Sequence, residues 1–120
     1  KDWLNRRYAV VNVWRSIGGP AITTPLAVSD ASTMQSDDFI PTDLVYKDRV
    51  GEIAQIGFSV GQRWYYFSEM TRDEALHIKC YDSVEDGRAR FTAHTAFTNP
   101  RAPVGAPPRE SIEVRTLIAF

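Results

Sequence analysis

Three residues near the C-terminal end of the chain have side chains that could bind a metal or a small acidic ligand. His94 lies in the segment Arg-Ala-Arg-Phe-Thr-Ala-His-Thr-Ala-Phe, and Arg109 and Ser111 form an Arg-x-Ser pair further along the chain. An imidazole is a common metal ligand, and a guanidinium beside a hydroxyl can hold a carboxylate. These residue types therefore indicate a joint site for a metal and an anionic ligand, provided that the two segments meet in the fold.

The segments that carry these residues have the composition of two β-strands joined by a proline-rich connection. Prolines stand at positions 100, 103, 107 and 108, and proline cannot donate to a sheet ladder, so the loop lies there. We expect the flanking strands to be adjacent, like the arms of a hairpin, which would bring His94 close to Arg109 and Ser111.

The second of these strands carries a row of polar side chains at alternate positions, namely Arg109, Ser111, Glu113 and Arg115. Such a row on one face predicts solvent or a polar cavity. Arg115 is expected to form an ion pair with Glu113 and therefore to be structural. Arg109 is the preferred ligand-binding arginine because Ser111 accompanies it.

The composition is typical of one soluble domain with a core. The chain has 120 residues, of which 43% are hydrophobic and 24% charged. Its formal net charge of −1 provides no electrostatic attraction to nucleic acid or to an anionic membrane. No apolar run approaches the roughly 20 residues of a membrane span. With Cys80 as its single cysteine the chain has no internal disulfide, and we expect a reducing, cytoplasmic location.

Short strand patterns separated by turn residues fill most of the chain. Before the C-terminal pair they are predicted at residues 8–14, 25–28, 44–46, 52–60, 63–67 and 76–81. Segments 52–60 and 63–67 flank Gly61 and Gln62 and are interpreted as a hairpin, whereas 31–43 is interpreted as a surface loop with one helical turn near Asp37. Seven or eight short strands and almost no helix predict an all-β sandwich, jelly roll or barrel.

Other candidates for chemistry have simpler interpretations. No acidic residue stands two positions after His77 that could bind a metal together with it, so His77 is interpreted as an ordinary strand residue. Cys80 is interpreted as an inert buried thiol, because no base is placed to activate it. The carboxylates of Asp30, Glu74 and Asp82 lie in predicted turns, and turn formation alone explains them.

A group of aromatic and polar residues could line a substrate pocket, although packing is the default role of each. An aromatic pair beside a turn can form an apolar wall, and a buried amide must find a hydrogen-bond partner, which a ligand could supply. The candidate pocket residues are Asn12, Trp14, Arg15, Trp64 and Tyr66.

Several sequence blocks resemble one known family. They run in order along the chain as Asn12-Val13-Trp14-Arg15, Pro25-Leu26-Ala27, Arg63-Trp64-Tyr65-Tyr66, Lys79-Cys80-Tyr81-Asp82-Ser83, His94-Thr95-Ala96-Phe97 and Pro108-Arg109-Glu110-Ser111-Ile112-Glu113-Val114-Arg115. With these blocks the chain resembles the hydroxylase/desaturase group of Fe(II)/2-oxoglutarate-dependent oxygenases. Each block alone is weak, but together they span nearly the whole chain.

The resemblance implies a double-stranded β-helix (jelly roll), with Fe(II) and 2-oxoglutarate as cofactors. It implies that O₂ is used to hydroxylate or desaturate a small secondary metabolite. By the same resemblance, His94 is a metal ligand, and Arg109 and Ser111 hold the far carboxylate of 2-oxoglutarate.

In that family the remaining metal ligands, a His-x-Asp pair, precede the block that begins at Asn12. Residues 1–120 are therefore expected to be the C-terminal part of a single oxygenase domain, inactive alone. The N-terminal part of the same protein or a second copy of the chain is a further candidate partner. The alternative is a non-catalytic β-sandwich or jelly-roll module that binds a small molecule or another protein.

Overall fold

The computed structural model describes residues 5–120, which form eight β-strands and short 3₁₀ helices between the second and third strands. Residues 1–4, which the predicted domain also includes, lie outside the described residues. The strands are β1 (Tyr8–Ser16), β2 (Leu26–Ser29), β3 (Phe39–Val45), β4 (Val50–Ile56), β5 (Trp64–Tyr66), β6 (Leu76–Asp82), β7 (His94–Ala96) and β8 (Ser111–Ala119). The expected all-β architecture is confirmed.

The first sheet is built around β1, in the order β6-β1-β8 with antiparallel neighbours. The β-branched and aromatic residues of β1 favour an extended backbone. Asn12, Trp14 and Ser16 alternate along β1 and are buried, so they mark the face of the sheet that is turned inward. Residues opposite each other in an antiparallel ladder share a face. The inward residues of β8 are therefore Ser111, Glu113 and Arg115, which lie opposite Ser16, Trp14 and Asn12.

The second sheet has the order β5-β2-β7 and packs against the first. A buried apolar cluster joins the two sheets, and it consists of Trp14, Ala21, Leu26, Met70 and Ile78. Ile78 is only 2% exposed, and full burial of such a side chain contributes about 1.5–3 kcal/mol. Leu26 of β2 belongs to this cluster, so the face of β2 that carries Leu26 is turned toward the core. Val28 shares that face by alternation, and His94 lies opposite Val28, so His94 also lies on the inward side.

The strands that carry His94 and Ser111 are not adjacent, so the expected hairpin-like pair is wrong. β7 pairs with β2 in one sheet, and β8 pairs with β1 in the other. A hairpin needs only a short turn, whereas the long connection between β7 and β8 crosses from sheet to sheet. Asn99 anchors it, because its backbone N–H donates to the Thr23 carbonyl and its side-chain amide to the Ile22 carbonyl, both over 2.9 Å.

The predicted hairpin around Gly61 and Gln62 is also wrong. β4 pairs with β3 to form a separate two-stranded sheet, and β5 pairs with β2 instead. The interpretation of 39–43 as loop is corrected by the same pairing, while a helical turn does include Asp37. The side-chain amide of Gln62 donates to the Gly57 carbonyl at 2.7 Å and so stabilises the loop between β4 and β5.

Candidate functional site

A cleft of about 480 Å³ opens between the two sheets and contains the predicted metal ligand His94. β7 supplies His94 and β8 supplies Arg115, while β4 closes one side. Its lining residues are Val10, Phe39, Glu52, Ile53, Ala54, Ile56, Cys80, Tyr81, Phe91, Thr92, Ala93, His94 and Arg115. The cleft therefore brings one imidazole and one guanidinium into a mainly apolar and aromatic space.

The ring of His94 is oriented by the backbone of its own segment. Its Nδ1 lies 3.1 Å from the carbonyl oxygen of Thr92. A carbonyl can only accept, so Nδ1 is the donor in this contact and Nε2 is the ring nitrogen that it leaves unused. Nε2 has no hydrogen-bond partner among residues 5–120. This arrangement is typical of a metal-binding histidine, whose second nitrogen is usually held in this way.

Arg115 is held in the cleft by Asn12 rather than by Glu113. Its Nε donates to Asn12 Oδ1 at 3.3 Å, and the Asn12 amide donates in turn to the carboxylate of Glu113. Asn12 is only 2% exposed. No ion pair joins Arg115 to Glu113 in the described part of the chain, so that expectation is wrong. The buried amide lies between the two charged side chains and fixes both.

Ser111 is the first residue of β8 and Arg109 lies in the connection just before it, and neither is part of the cleft lining. Arg109 donates from Nη1 to the Thr24 carbonyl at 3.0 Å, and its guanidinium carbon is 6.0 Å from the centre of the Trp14 ring. Ser111 is half-buried opposite Ser16. The structure thus brings His94 together with Arg115, and Arg109 together with Trp14.

The predicted pocket residues fall into different environments. Asn12 holds Arg115, and Trp14 lies in the apolar core at 3% exposure. Arg15 points to the opposite face of β1, where its Nε is buried without a partner among the described residues. Trp64 lines a second opening of about 490 Å³ that also contains His94 and Ala54. Tyr66 packs edge-on against Phe97 at 5.1 Å between ring centres.

An aromatic wall of the cleft was missed by sequence reasoning. Phe91 packs against Phe39 at 5.9 Å and against Tyr81 at 5.8 Å between ring centres. The residues of β4 that border the cleft were missed too. The sequence has no marker for this wall, because Phe39 and Tyr81 are far apart along the chain and share only their packing against Phe91.

Asp30 and Glu74 behave as turn residues, whereas the interpretation of Asp82 as a turn residue is wrong, because it is the last residue of β6. Asp30 accepts from the hydroxyl and the backbone N–H of Ser32, which lowers the pKa of its carboxyl. Glu74 accepts from the backbone N–H of Thr71 at 2.7 Å. Asp82 is fully buried against Arg7. Within residues 5–120 no three His, Cys, Asp or Glu side chains are grouped so that they could hold a metal ion.

Cys80 borders the cleft but is not activated. Burial raises the pKa of its thiol above the usual value, and the thiol contacts the Ile78 carbonyl at 3.6 Å. A thiol with a raised pKa is a poor nucleophile and a poor metal ligand at neutral pH.

Comparison with known proteins identifies the family. A family model described as an oxidoreductase/YMDC permease-like domain matches residues 1–119. The chain belongs to this oxidoreductase family. Among its relatives is the hydroxylase/desaturase asaB of Aspergillus flavus, which is 44% identical over 131 residues, a stretch that covers 98% of this chain and 57% of the relative. Aspirochlorine biosynthesis protein N of Aspergillus oryzae is 43% identical over 120 residues, with 98% and 50% covered.

A solved structure has the same fold as this chain. The iron and alpha-ketoglutarate-dependent endoperoxidase NvfI superposes with a TM-score of 0.90 at 39% identity, over 98% of this chain and 44% of that protein. The predicted double-stranded β-helix is thereby confirmed for the part of the fold that this chain contains. The chain spans about half the length of the curated relatives it matches. No helix in residues 5–120 is long and apolar enough to cross a membrane.

Proposed function

We propose that the chain is part of an Fe(II)/2-oxoglutarate-dependent oxygenase, a hydroxylase or desaturase that acts on a small secondary metabolite. The observation that carries the proposal is the 39% identity, at a TM-score of 0.90, to a protein whose name states dependence on iron and alpha-ketoglutarate. The hydroxylase/desaturase name of another relative supports the reaction class. O₂ is the co-substrate of the proposed reaction, and we expect it to take place in the cytoplasm.

In this proposal His94 binds iron through Nε2, and the Thr92 carbonyl keeps the ring in the required tautomer. Arg109 and Ser111 bind the far carboxylate of 2-oxoglutarate through charge-assisted hydrogen bonds. Fe(II) with 2-oxoglutarate supplies the oxidising chemistry when both are bound. The aromatic wall of the cleft keeps water away from the substrate and provides apolar contact.

The remaining metal ligands come from outside this chain in our proposal. Residues 1–120 act as the C-terminal part of a single oxygenase domain, and a His-x-Asp pair completes the site with His94. The length of the matched relatives supports this view, because this chain covers about half of it. In our proposal the remaining ligands belong to the same protein or to a second copy of the chain.

The proposal is tested with the full-length protein that contains this chain. Succinate formation from 2-oxoglutarate is measured with and without Fe(II), in the wild type, His94→Ala and Arg109→Ala. We expect iron-dependent succinate in the wild type, loss in His94→Ala, and a large rise in the KM for 2-oxoglutarate in Arg109→Ala. His77→Ala, an exposed histidine of β6, is the matched control and keeps full activity. Unchanged succinate in both test variants would rule out the roles given to His94 and Arg109. A wild type that forms no iron-dependent succinate would instead favour the class of non-catalytic binding modules.

A further inference from the structure

The second opening beside His94 is bordered by an aromatic ring that the described residues leave uncovered. This opening, of about 490 Å³, shares His94, Ala54 and Ile56 with the first cleft, so the two spaces adjoin. Phe58 lines the second opening, is 90% exposed and makes no ring contact among residues 5–120. A phenyl ring gains free energy when it packs against another apolar surface. An apolar group bound in this opening would supply that surface.

The loop that carries Phe58 is held by hydrogen bonds at its base. The backbone N–H of Gly57 donates to the Asp38 carbonyl at 2.8 Å, and that of Gln62 donates to the Ser59 carbonyl at 3.2 Å. The side-chain amide of Gln62 donates to the Gly57 carbonyl at 2.7 Å. None of these bonds involves the ring of Phe58. The ring is therefore positioned before any ligand binds, which lowers the conformational entropy lost on binding.

Gln62 also connects this loop to the second aromatic side chain of the opening, Trp64. The indole N–H of Trp64 donates to Gln62 Oε1 at 3.3 Å, while Gln62 Nε2 is engaged by Gly57. The amide cannot rotate without losing one of these bonds. One side chain thus fixes the supports of both rings that border the opening, Phe58 and Trp64.

The chemistry of the opening favours an apolar ligand with a flat ring. Its described lining contains no Lys, Arg, Asp or Glu, and it consists of Ala54, Gln55, Ile56, Gly57, Phe58, Gln62, Trp64, His94 and Thr95. A buried charge needs a partner, and this lining offers none apart from the imidazole. Flat rings pack against aromatic side chains more favourably than their area alone predicts. The volume is within the usual range for small-molecule sites.

We propose that the second opening binds an apolar, flat ring of the substrate, and that Phe58 and Trp64 are the residues that select it. Gln62 is a positioning residue that acts through them. The reacting part of the substrate then lies beside His94, which both openings share. This inference rests on the proposed function and adds to it the class of substrate.

The test compares two probes with the same carbon skeleton. 2-Naphthol has flat aromatic rings, whereas trans-decahydro-2-naphthol has saturated, puckered rings and the same hydroxyl. Each probe is titrated into the full-length protein loaded with N-phenyl-1-naphthylamine, a neutral dye that fluoresces in apolar sites. Displacement of the dye gives a dissociation constant for each probe, and the ratio of the two constants measures the preference for a flat ring.

We expect the wild type to bind 2-naphthol roughly three- to tenfold more tightly than the saturated probe, because only the flat rings gain from aromatic packing. Phe58→Leu keeps apolar bulk without a ring, so it should lower this ratio clearly. Phe67→Leu is the matched control, because Phe67 is also exposed but does not line the opening, and it should keep the wild-type ratio. Circular dichroism of each variant verifies folding.

Gln62 is tested by the same ratio and by a double-mutant cycle. Gln62→Ala should lower the preference for 2-naphthol, and in the Phe58→Leu background it should lower it by less, because the two residues act on one wall. A residue that only supports the fold would weaken both probes equally and leave the ratio unchanged. That result would overturn the positioning role.

The outcomes separate the inference from the proposed function. If the wild type forms no iron-dependent succinate, the proposed function fails and the inference fails with it. If succinate is formed but the wild type shows no preference for 2-naphthol, only the inference is overturned. The same holds if Phe58→Leu keeps the wild-type ratio, or if Phe67→Leu lowers the ratio as much as Phe58→Leu does.

Discussion

Single side chains in this protein are oriented by hydrogen bonds to groups far away in the sequence. Asn12 connects two residues of β8, and Arg7 holds Asp82 through two bonds, Nη2 to Oδ2 at 2.8 Å and Nε to Oδ1 at 3.2 Å. The backbone N–H of Val84 donates to the same carboxylate at 3.1 Å. Asp82 is fully buried, so each of these hydrogen bonds replaces a hydrogen bond to water that the carboxylate lost on folding.

Asp82 makes the stability of the fold sensitive to acid. The hydrogen bonds from Arg7, with smaller contributions from the Val84 N–H and Lys79, hold the pKa of its carboxyl well below the usual value. The stabilisation is therefore complete above the unfolded-state pKa, about 3.9, and is lost as the pH falls through the lower folded-state value. We expect Asp82→Asn to lower the urea midpoint clearly at pH 7, and this difference from the wild type to shrink below about pH 4.

The control for this prediction is Asp86→Asn. Asp86 forms an ion pair with Arg88 in which both side chains are more than 40% exposed, and exposed pairs contribute little to stability. Its urea midpoint should stay near that of the wild type at both pH values. A wild-type midpoint that does not fall more steeply with acid than that of Asp82→Asn would contradict the role given to Asp82.

At the scale of elements, strand positions were predictable where the apolar pattern is strong. Tyr8–Ser16 and Leu76–Asp82 carry dense β-branched or alternating apolar residues, and both predicted segments are confirmed as strands. Only the end of β3 was predicted, by the segment 44–46, because Pro41, Thr42 and Asp43 weaken the pattern of its earlier part, and proline is tolerated only at an edge. Within residues 5–120 β3 pairs with β4 alone, so one edge of the strand is open and can accommodate a residue without a backbone N–H.

Strand partners were far less predictable than strand positions. Gly61 and Gln62 have the composition of a hairpin turn, yet β5 pairs with β2, and the side chain of Gln62 bonds back to its own loop. Likewise, His94, Arg109 and Ser111 were singled out by residue type, which does not show which sheet holds each one. That assignment depends on tertiary pairing, which a local pattern does not contain. Arg115 was misjudged for the same reason, since its partner Asn12 lies on another strand.

The contact of β6 with the second sheet should dominate the stability of the sandwich. Ile78 lies in the apolar cluster with Trp14 and Leu26. We expect Ile78→Ala to lower the free energy of unfolding by about 2–5 kcal/mol, because it removes buried methyl groups and leaves a cavity. Urea denaturation followed by tryptophan fluorescence measures the change.

The same substitution at an exposed position provides the control. Ile40 of β3 is 50% exposed, and Ile40→Ala should change the free energy of unfolding by no more than about 0.5 kcal/mol. Comparable losses at Ile78 and Ile40 would mean that the core does not lie between the two sheets as described.

At the scale of the whole molecule, the two sheets leave apolar surface uncovered. The outward face of β8 exposes Ile112 by 50%, Val114 by 52% and Ile118 by 39%. Within residues 5–120 this strand is paired only with β1, so one of its edges is open. An apolar strand with an open edge is a ready site for pairing with another chain. The same surface is available to a further segment of the protein or to a second copy.

We expect the chain, when produced alone, to self-associate through β8. Light scattering after size exclusion should give a mass that rises above 13.6 kDa as the concentration increases. Val114→Lys places a charge on the outward face and should shift the mass toward the monomer, because a charge on an edge strand opposes pairing. Lys47→Ala, in the turn between β3 and β4, is the control and should associate like the wild type. If Val114→Lys associates as strongly as the wild type, the contact lies elsewhere, and the exposed apolar residues of the β3–β4 hairpin become the next candidates.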